Sequence, residues 1–296
     1  MHINFALICG SAVVGFFVGL TGMGGGALMT PMLVLLFNVK PASAISSDLV
    51  AALFMKPIGV AIHWKRQTVN KALVKHLSYG SVPGALLGAV TLHQLGGTKS
   101  TQTQLATILG VALLIGAVAM VARLLWPSRH APSAQITLRP VLTILVGLVG
   151  GFMVGLTSVG AGSLILVLLT FLYPAIAADV LVGTDLAQAL PLTAAATLGA
   201  FLFGHVSFGL TTGIIVGAVP AVFLGAHLSS RGMSTALRPY LAALAFISGC
   251  KYVGLPIAAV GAAAVVALAL AVAISLRTLR TSRVPVTGEQ HVASSK

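Results

Sequence analysis

The chain has 296 residues, 57% of them apolar and 7% charged, with 17 Lys and Arg against 4 Asp and Glu and a formal net charge of +13. A soluble domain carries about 25% charged residues, so this chain cannot coat itself in water. A soluble enzyme, a disordered tail and a disulfide scaffold are excluded, which leaves an all-α polytopic membrane protein forming one transmembrane domain over 1–296.

The cations are strung between apolar segments rather than gathered on one soluble face. The basic excess therefore sets membrane orientation and argues against a nucleic-acid partner. The lipid bilayer is the first partner implied. Apolar segments run at about 3–20, 24–38, 44–63, 77–95, 103–122, 140–157, 160–173, 180–203, 210–228, 237–253 and 257–276. Residues 1–39 contain no Lys, Arg, Asp or Glu. They lack the positive region that opens a secretory signal, and are expected to stay in the mature protein as transmembrane structure. Cys9 and Cys250 lie in or at the end of apolar stretches, form no CxxC pair, and are expected to pack.

Four basic groups are expected in the cytoplasm: Lys65, Arg66, Lys71 and Lys75; Arg123, Arg129 and Arg139; the loop of Arg231 and Arg238; and the tail of Arg277, Arg280, Arg283 and Lys296. Lys40, Lys99 and Lys251 then face outward, while Lys56 falls inside a span. The stretch 140–178 starts inside and is 39 residues long without a charge. As one helix it would be about 58 Å long against a core of about 30 Å. A broken hairpin with its turn near Thr157–Gly162 fits, and 1–39 reads as a second one. Parity places the N-terminus outside and the C-terminus in the cytoplasm.

The two halves repeat. Gly19-Leu20-Thr21 recurs as Gly155-Leu156-Thr157, Gly24 and Gly26 as Gly160 and Gly162, Asp48-Leu49 as Asp185-Leu186, and Val82-Pro83 as Val219-Pro220. Gly80, Gly84 and Gly88 recur as Gly217, Ala221 and Gly225. Because the 64–76 loop is inside and its counterpart at 204–209 outside, two inverted-topology repeats are expected, as in many secondary transporters. Repeat 1 covers about 1–126, the linker 127–139 and repeat 2 about 140–255, with an extra C-terminal helix at 257–276 and a basic tail at 277–296. The Gly80/Gly84/Gly88 face packs either within the chain or between chains, as in a homo-oligomer.

A small anionic substrate finds candidate contacts at the two glycine-rich breaks, Thr21, Gly22, Gly24, Gly25 and Gly26, and Thr157, Ser158, Gly160, Gly162 and Ser163. Backbone broken at membrane depth must line protein or a wet cavity. Helix starts there offer free N–H groups and partial positive charge, and the hydroxyls are possible donors. The alternative is that the glycines serve packing alone, as at Gly147/Gly151/Gly155. Lys56 is costly at this depth unless it meets a cavity, a partner or an interface by snorkelling; an anion would serve. Its second-half counterpart is Thr193. Asp48 and Asp185 read either as helix N-caps or as proton- or cation-coupling carboxylates, with Gln188 one turn beyond Asp185. The histidines read as interfacial, with a proton relay at His205 as the weaker alternative. No metal site, cofactor motif or ATP-binding P-loop is present.

With Gly15 to Gly26 and Pro31, their echo from Gly151 to Gly162, and the Gly80–Gly88 segment with its Gly217–Gly225 echo, the sequence resembles the TauE/SafE or sulfite exporter family over about residues 4–255. The resemblance implies a multi-pass transporter of the bacterial cytoplasmic (inner) membrane, and members with assigned roles move sulfur-containing anions such as sulfite or sulfoacetate. Ala161 departs from the glycine pattern of the first break. A rhomboid-like serine protease lacks a clean nucleophile motif here. A passive anion channel and a membrane assembly protein without transport of its own stand as alternatives.

Overall fold

The computed structural model describes residues 5–22, 25–65, 67–125, 138–159, 164–229 and 231–281. Among them all regular structure is helical: α1 (Phe5–Thr21), α2 (Gly26–Leu35), α3 (Pro41–Lys65), α4 (Lys71–Leu95), α5 (Lys99–Leu125), α6 (Pro140–Thr157), α7 (Leu164–Leu172), α8 (Ala178–Phe203), α9 (Phe208–Leu228), α10 (Arg231–Tyr252) and α11 (Ile257–Thr281). Six contain stretches long and apolar enough to cross a membrane: Pro41–Ala61, Ser100–Ala122, Pro140–Thr157, Asp179–Phe203, Phe208–Leu228 and Ile257–Leu276. The 10-residue α2 and 9-residue α7 are about 15 Å long, too short to cross a core of about 30 Å.

Glycine decides the tightest seams. In α4, Gly80, Gly84 and Gly88 lie against the carbonyls of Ile144, Leu148 and Phe152 of α6, so that a Cβ at any of them would collide with backbone. The numbers rise together along both helices, so α4 and α6 run parallel. α1 and α9 form a second parallel seam, with Gly15 and Gly19 on the backbone of Ala218 and Val222, and Gly217 and Gly225 on that of Ile8 and Phe16. The Gly80/Gly84/Gly88 face is therefore covered within the chain. An apolar core surrounds each seam. One joins Leu77, Leu92, Ile165 and Leu192 from α4, α7 and α8; the other joins Met29, Leu33, Met55 and Ile214 from α2, α3 and α9.

Between the seams, α3 and α8 run antiparallel. The Thr197 hydroxyl donates to the Leu49 carbonyl at 3.0 Å, Lys56 meets Thr193, and Gly59 faces Leu186. At one end of this pair the Asn70 N–H, at the start of α4, donates to the Thr184 hydroxyl at 3.0 Å. At the other end the Ser207 N–H, at the start of α9, donates to the Ser47 hydroxyl at 3.3 Å. Each bond maps onto the other by a shift of 137 residues.

α10 starts at Arg231, earlier than its apolar stretch, so Arg231 and Arg238 lie on a helix rather than in the expected loop. A helix satisfies its own backbone whether or not its first turns are apolar. α11 packs on α10 and is the least covered span, with 6% of its apolar window buried. Linker residues 127–137 and tail residues 282–296 lie outside the described residues.

Candidate functional site

α1 and α6 end alike. Gly22 follows α1 at φ 66° and Ser158 follows α6 at φ 58°, both left-handed. The conformation is free for glycine, whereas a residue with a side chain gives up about 1–2 kcal/mol. Two contacts hold Ser158 there. Its hydroxyl donates to Asp48 Oδ2 at 2.8 Å. Gly26, the first residue of α2, presses on it so closely that a Cβ would meet the Ser158 carbonyl. The two glycine-rich segments, 136 residues apart in sequence, are thus in contact at Gly26 and Ser158.

Asp48 lies under that contact, 0% exposed. Thr30 of α2 donates to the same oxygen, Oδ2, at 2.9 Å. The other oxygen, Oδ1, has no hydrogen-bond partner among the described residues and faces Gly25, where a Cβ would stand 4.0 Å away. Sequence reasoning missed Thr30, although it is the one hydroxyl in the apolar run of α2 and could have been marked on that ground. The capping expectation for Asp48 and Asp185 is corrected here. α3 begins at Pro41 and α8 at Ala178, so both carboxylates lie two turns inside their helices. Proline suits a first helical turn, and the first turn of α8 holds Asp179 instead.

Although equivalent in sequence, the two aspartates have different neighbours. Asp185, 1% exposed, receives a long 3.5 Å contact from the Gln188 amide, whose oxygen accepts from Ser81 of α4 at 3.1 Å. Lys56, partly exposed, donates from Nζ to Thr193 Oγ1 on α8. Asp185 and then Asp48 are the carboxylates that act on its charge. Lys56 is the sole Lys or Arg in the six spans named above.

Thr21 and Thr157 donate back into their own helices, to the carbonyls of Phe17 and Met153, each at 2.7 Å. A hydroxyl in an apolar helix finds its nearest acceptor one turn back, and neither proton is left for a ligand. Gly25 has no side chain to cap the first N–H groups of α2, and the Leu28 N–H turns back onto the Gly25 carbonyl at 3.0 Å. Gly22 is exposed, and a Cβ built there meets nothing within 4 Å among the described residues outside its chain neighbours. The candidates Gly24, Gly160, Gly162 and Ser163 lie outside the described residues. His205 sits on the α8–α9 turn, stacked on His93 at 6.0 Å, with its backbone N–H on Ser46 Oγ.

The model of the sulfite exporter TauE/SafE family matches residues 7–252. Among curated relatives, the probable membrane transporter protein YjnA of Bacillus subtilis is 36% identical over 255 residues, 84% of this chain and 100% of the relative. The probable membrane transporter protein YdhB of the same organism is 23% identical over 224 residues, 74% of this chain and 87% of the relative. No solved structure matches the chain. With a family model covering most of its length and a full-length relative at 36% identity, the chain belongs to the TauE/SafE family of multi-pass membrane transporters.

Proposed function

We propose that this protein is a secondary carrier of small sulfur-containing anions, sulfite, sulfoacetate or a related sulfonate, in the bacterial cytoplasmic membrane. Its two halves act as inverted repeats, each opening on a glycine-broken hairpin, with α11 as an addition. The N-terminus faces outward and the C-terminus the cytoplasm. The antiparallel α3–α8 pair, the exchanged α4–α6 and α1–α9 seams, and the duplicated Ser47 and Thr184 hydrogen bonds support the inverted repeat.

One observation carries the carrier reading: the two glycine-rich segments touch at Gly26 and Ser158, over Asp48 of α3, the helix that also carries Lys56, the sole Lys or Arg in the six spans named above. The N–H groups of a helix start and a lysine attract an oxyanion, and glycine lets its oxygens approach the backbone. The substrate class follows the family description and the anion-attracting groups; sulfite and sulfonates present similar oxygens.

Labelled sulfite flux into proteoliposomes holding this protein alone is the test, with unlabelled sulfonates and carboxylates as competitors. Saturable flux with counterflow is expected. Flux that never saturates and shows no counterflow would make the protein a channel. No flux above empty liposomes from folded protein would favour an assembly role.

A further inference from the structure

The junction of the two glycine-rich segments holds a feature that an anion site alone does not require. Asp48 is fully buried, and Ser158 and Thr30 both donate to one of its oxygens, Oδ2. Oδ1 has no partner among the described residues and points at Gly25, the residue that precedes the start of α2. Buried carboxylate oxygens are normally hydrogen-bonded, and an orphan calls for an explanation. An ionised Oδ1 would also repel an anion entering beside Gly25, through surroundings that screen poorly.

We infer that Asp48 is the coupling residue of the carrier, and that its Oδ1 takes up one proton for each anion bound at the Gly26–Ser158 junction. The inference rests on the carrier reading above. The step forms one O–H bond, with the proton drawn from water on the side from which the anion enters. It leaves Oδ2 as a carbonyl-type acceptor, so both hydroxyl bonds persist. They weaken, because hydrogen bonds to an ionised acceptor are about twice as strong as neutral ones. Ser158 ends α6 and Thr30 belongs to α2, so the ionised carboxylate clamps the two broken segments together and protonation loosens the clamp. Proton uptake and relative movement of the halves are thereby one event.

The groups around Asp48 are few. Lys56, on the same helix, is the charged group that acts on it. α2 and α6 present hydroxyls, and α8 presents Asp185, which acts on Lys56. The α8–α9 turn brings His205, whose backbone rather than ring reaches Ser46. The whole chain has 4 acidic residues, Asp48, Asp179, Asp185 and Glu289, so assignment by single substitution is practical.

The experiment uses the full-length protein in detergent and ethanesulfonate, the anion of a strong acid that carries no proton of its own. Binding is followed by calorimetry and proton uptake by a pH dye in weak buffer. The expected result is uptake of about one proton per bound anion, with affinity falling about tenfold per pH unit on the alkaline side. Asp48→Asn loses both the uptake and the pH dependence, and Asp179→Asn keeps both. Binding without proton uptake overturns the inference and leaves the carrier standing. Uptake that survives in Asp48→Asn and vanishes in Asp185→Asn also overturns it. No binding of any anion overturns the carrier reading and the inference with it. Should Asp48→Asn fail to fold, infrared difference spectra of the wild type decide. A carboxylic-acid band rising on anion binding and shifted by Ser158→Ala supports Asp48, and a band unmoved by that substitution overturns it.

Discussion

Ser158 donates its hydroxyl to Asp48 across 110 residues of chain, at 2.8 Å, from a left-handed backbone position that serine adopts reluctantly. The bond and the backbone strain oppose each other, and substitutions separate them. Ser158→Ala keeps the strain and removes a buried donor to a carboxylate, so it should lower stability by about 1–3 kcal/mol. Ser158→Gly removes the donor and relieves about 1 kcal/mol of strain, so it should melt between alanine and wild type. Thermal unfolding in detergent reads the order. Alanine and glycine melting together would mean that the φ of 58° stores no strain.

Lys56→Gln should insert normally and bind anion about 10- to 100-fold more weakly, the range expected for loss of a charge-assisted hydrogen bond of about 1.5–3 kcal/mol. Thr193→Val, which removes the lysine's partner on α8, should lower affinity less because the charge remains. Anion affinity measured for both variants checks the pair, and unchanged affinity in Lys56→Gln would remove the lysine from the site.

At the α4–α6 seam, Gly84→Leu must push the Leu148 and Phe152 backbone away. Overpacking of this kind costs about 1–3 kcal/mol or more, so the variant should melt earlier and elute as aggregate on size exclusion. Gly261→Ala, on the open face of α11 with nothing near a Cβ, should be neutral or stabilising by up to about 1 kcal/mol from helix propensity. Equal behaviour of the two would contradict the close backbone approach.

The inverted arrangement is tested by labelling. In a background with Cys9 and Cys250 replaced, Lys65→Cys at the end of α3 should react with a membrane-impermeant maleimide only from the cytoplasmic side. Gly209→Cys at the start of α9 should react only from outside. Reaction of both from one side would contradict the inversion and, with it, the antiparallel packing of α3 and α8 that puts these positions at opposite ends.

Much of the fold was legible because a bilayer imposes simple rules. Charge-free stretches had to be helical, and their length against about 30 Å of hydrocarbon required breaks. The repeat of Gly80/Gly84/Gly88 and Gly217/Gly225 marked two seams, but not which helices they would meet. Capping failed at Asp48 and Asp185 because the residues that suit a helix start lie two turns earlier, Pro41 in α3 and Asp179 in the first turn of α8. The local bonding of Thr21 and Thr157 was not anticipated, although each has a carbonyl of its own helix within reach.

The sequence by itself determined that the protein is helical, membrane-embedded and poor in charge, since each follows from composition, period and length. Only the tertiary structure decided that Thr30, Asp48 and Ser158 form one cluster, that Lys56 meets Thr193, and that Asp48 Oδ1 has no hydrogen-bond partner among the described residues. Those relations join residues far apart in the chain, on helices whose neighbours are chosen by backbone packing at glycine, and hydrogen-bond partners inside a membrane follow from that packing.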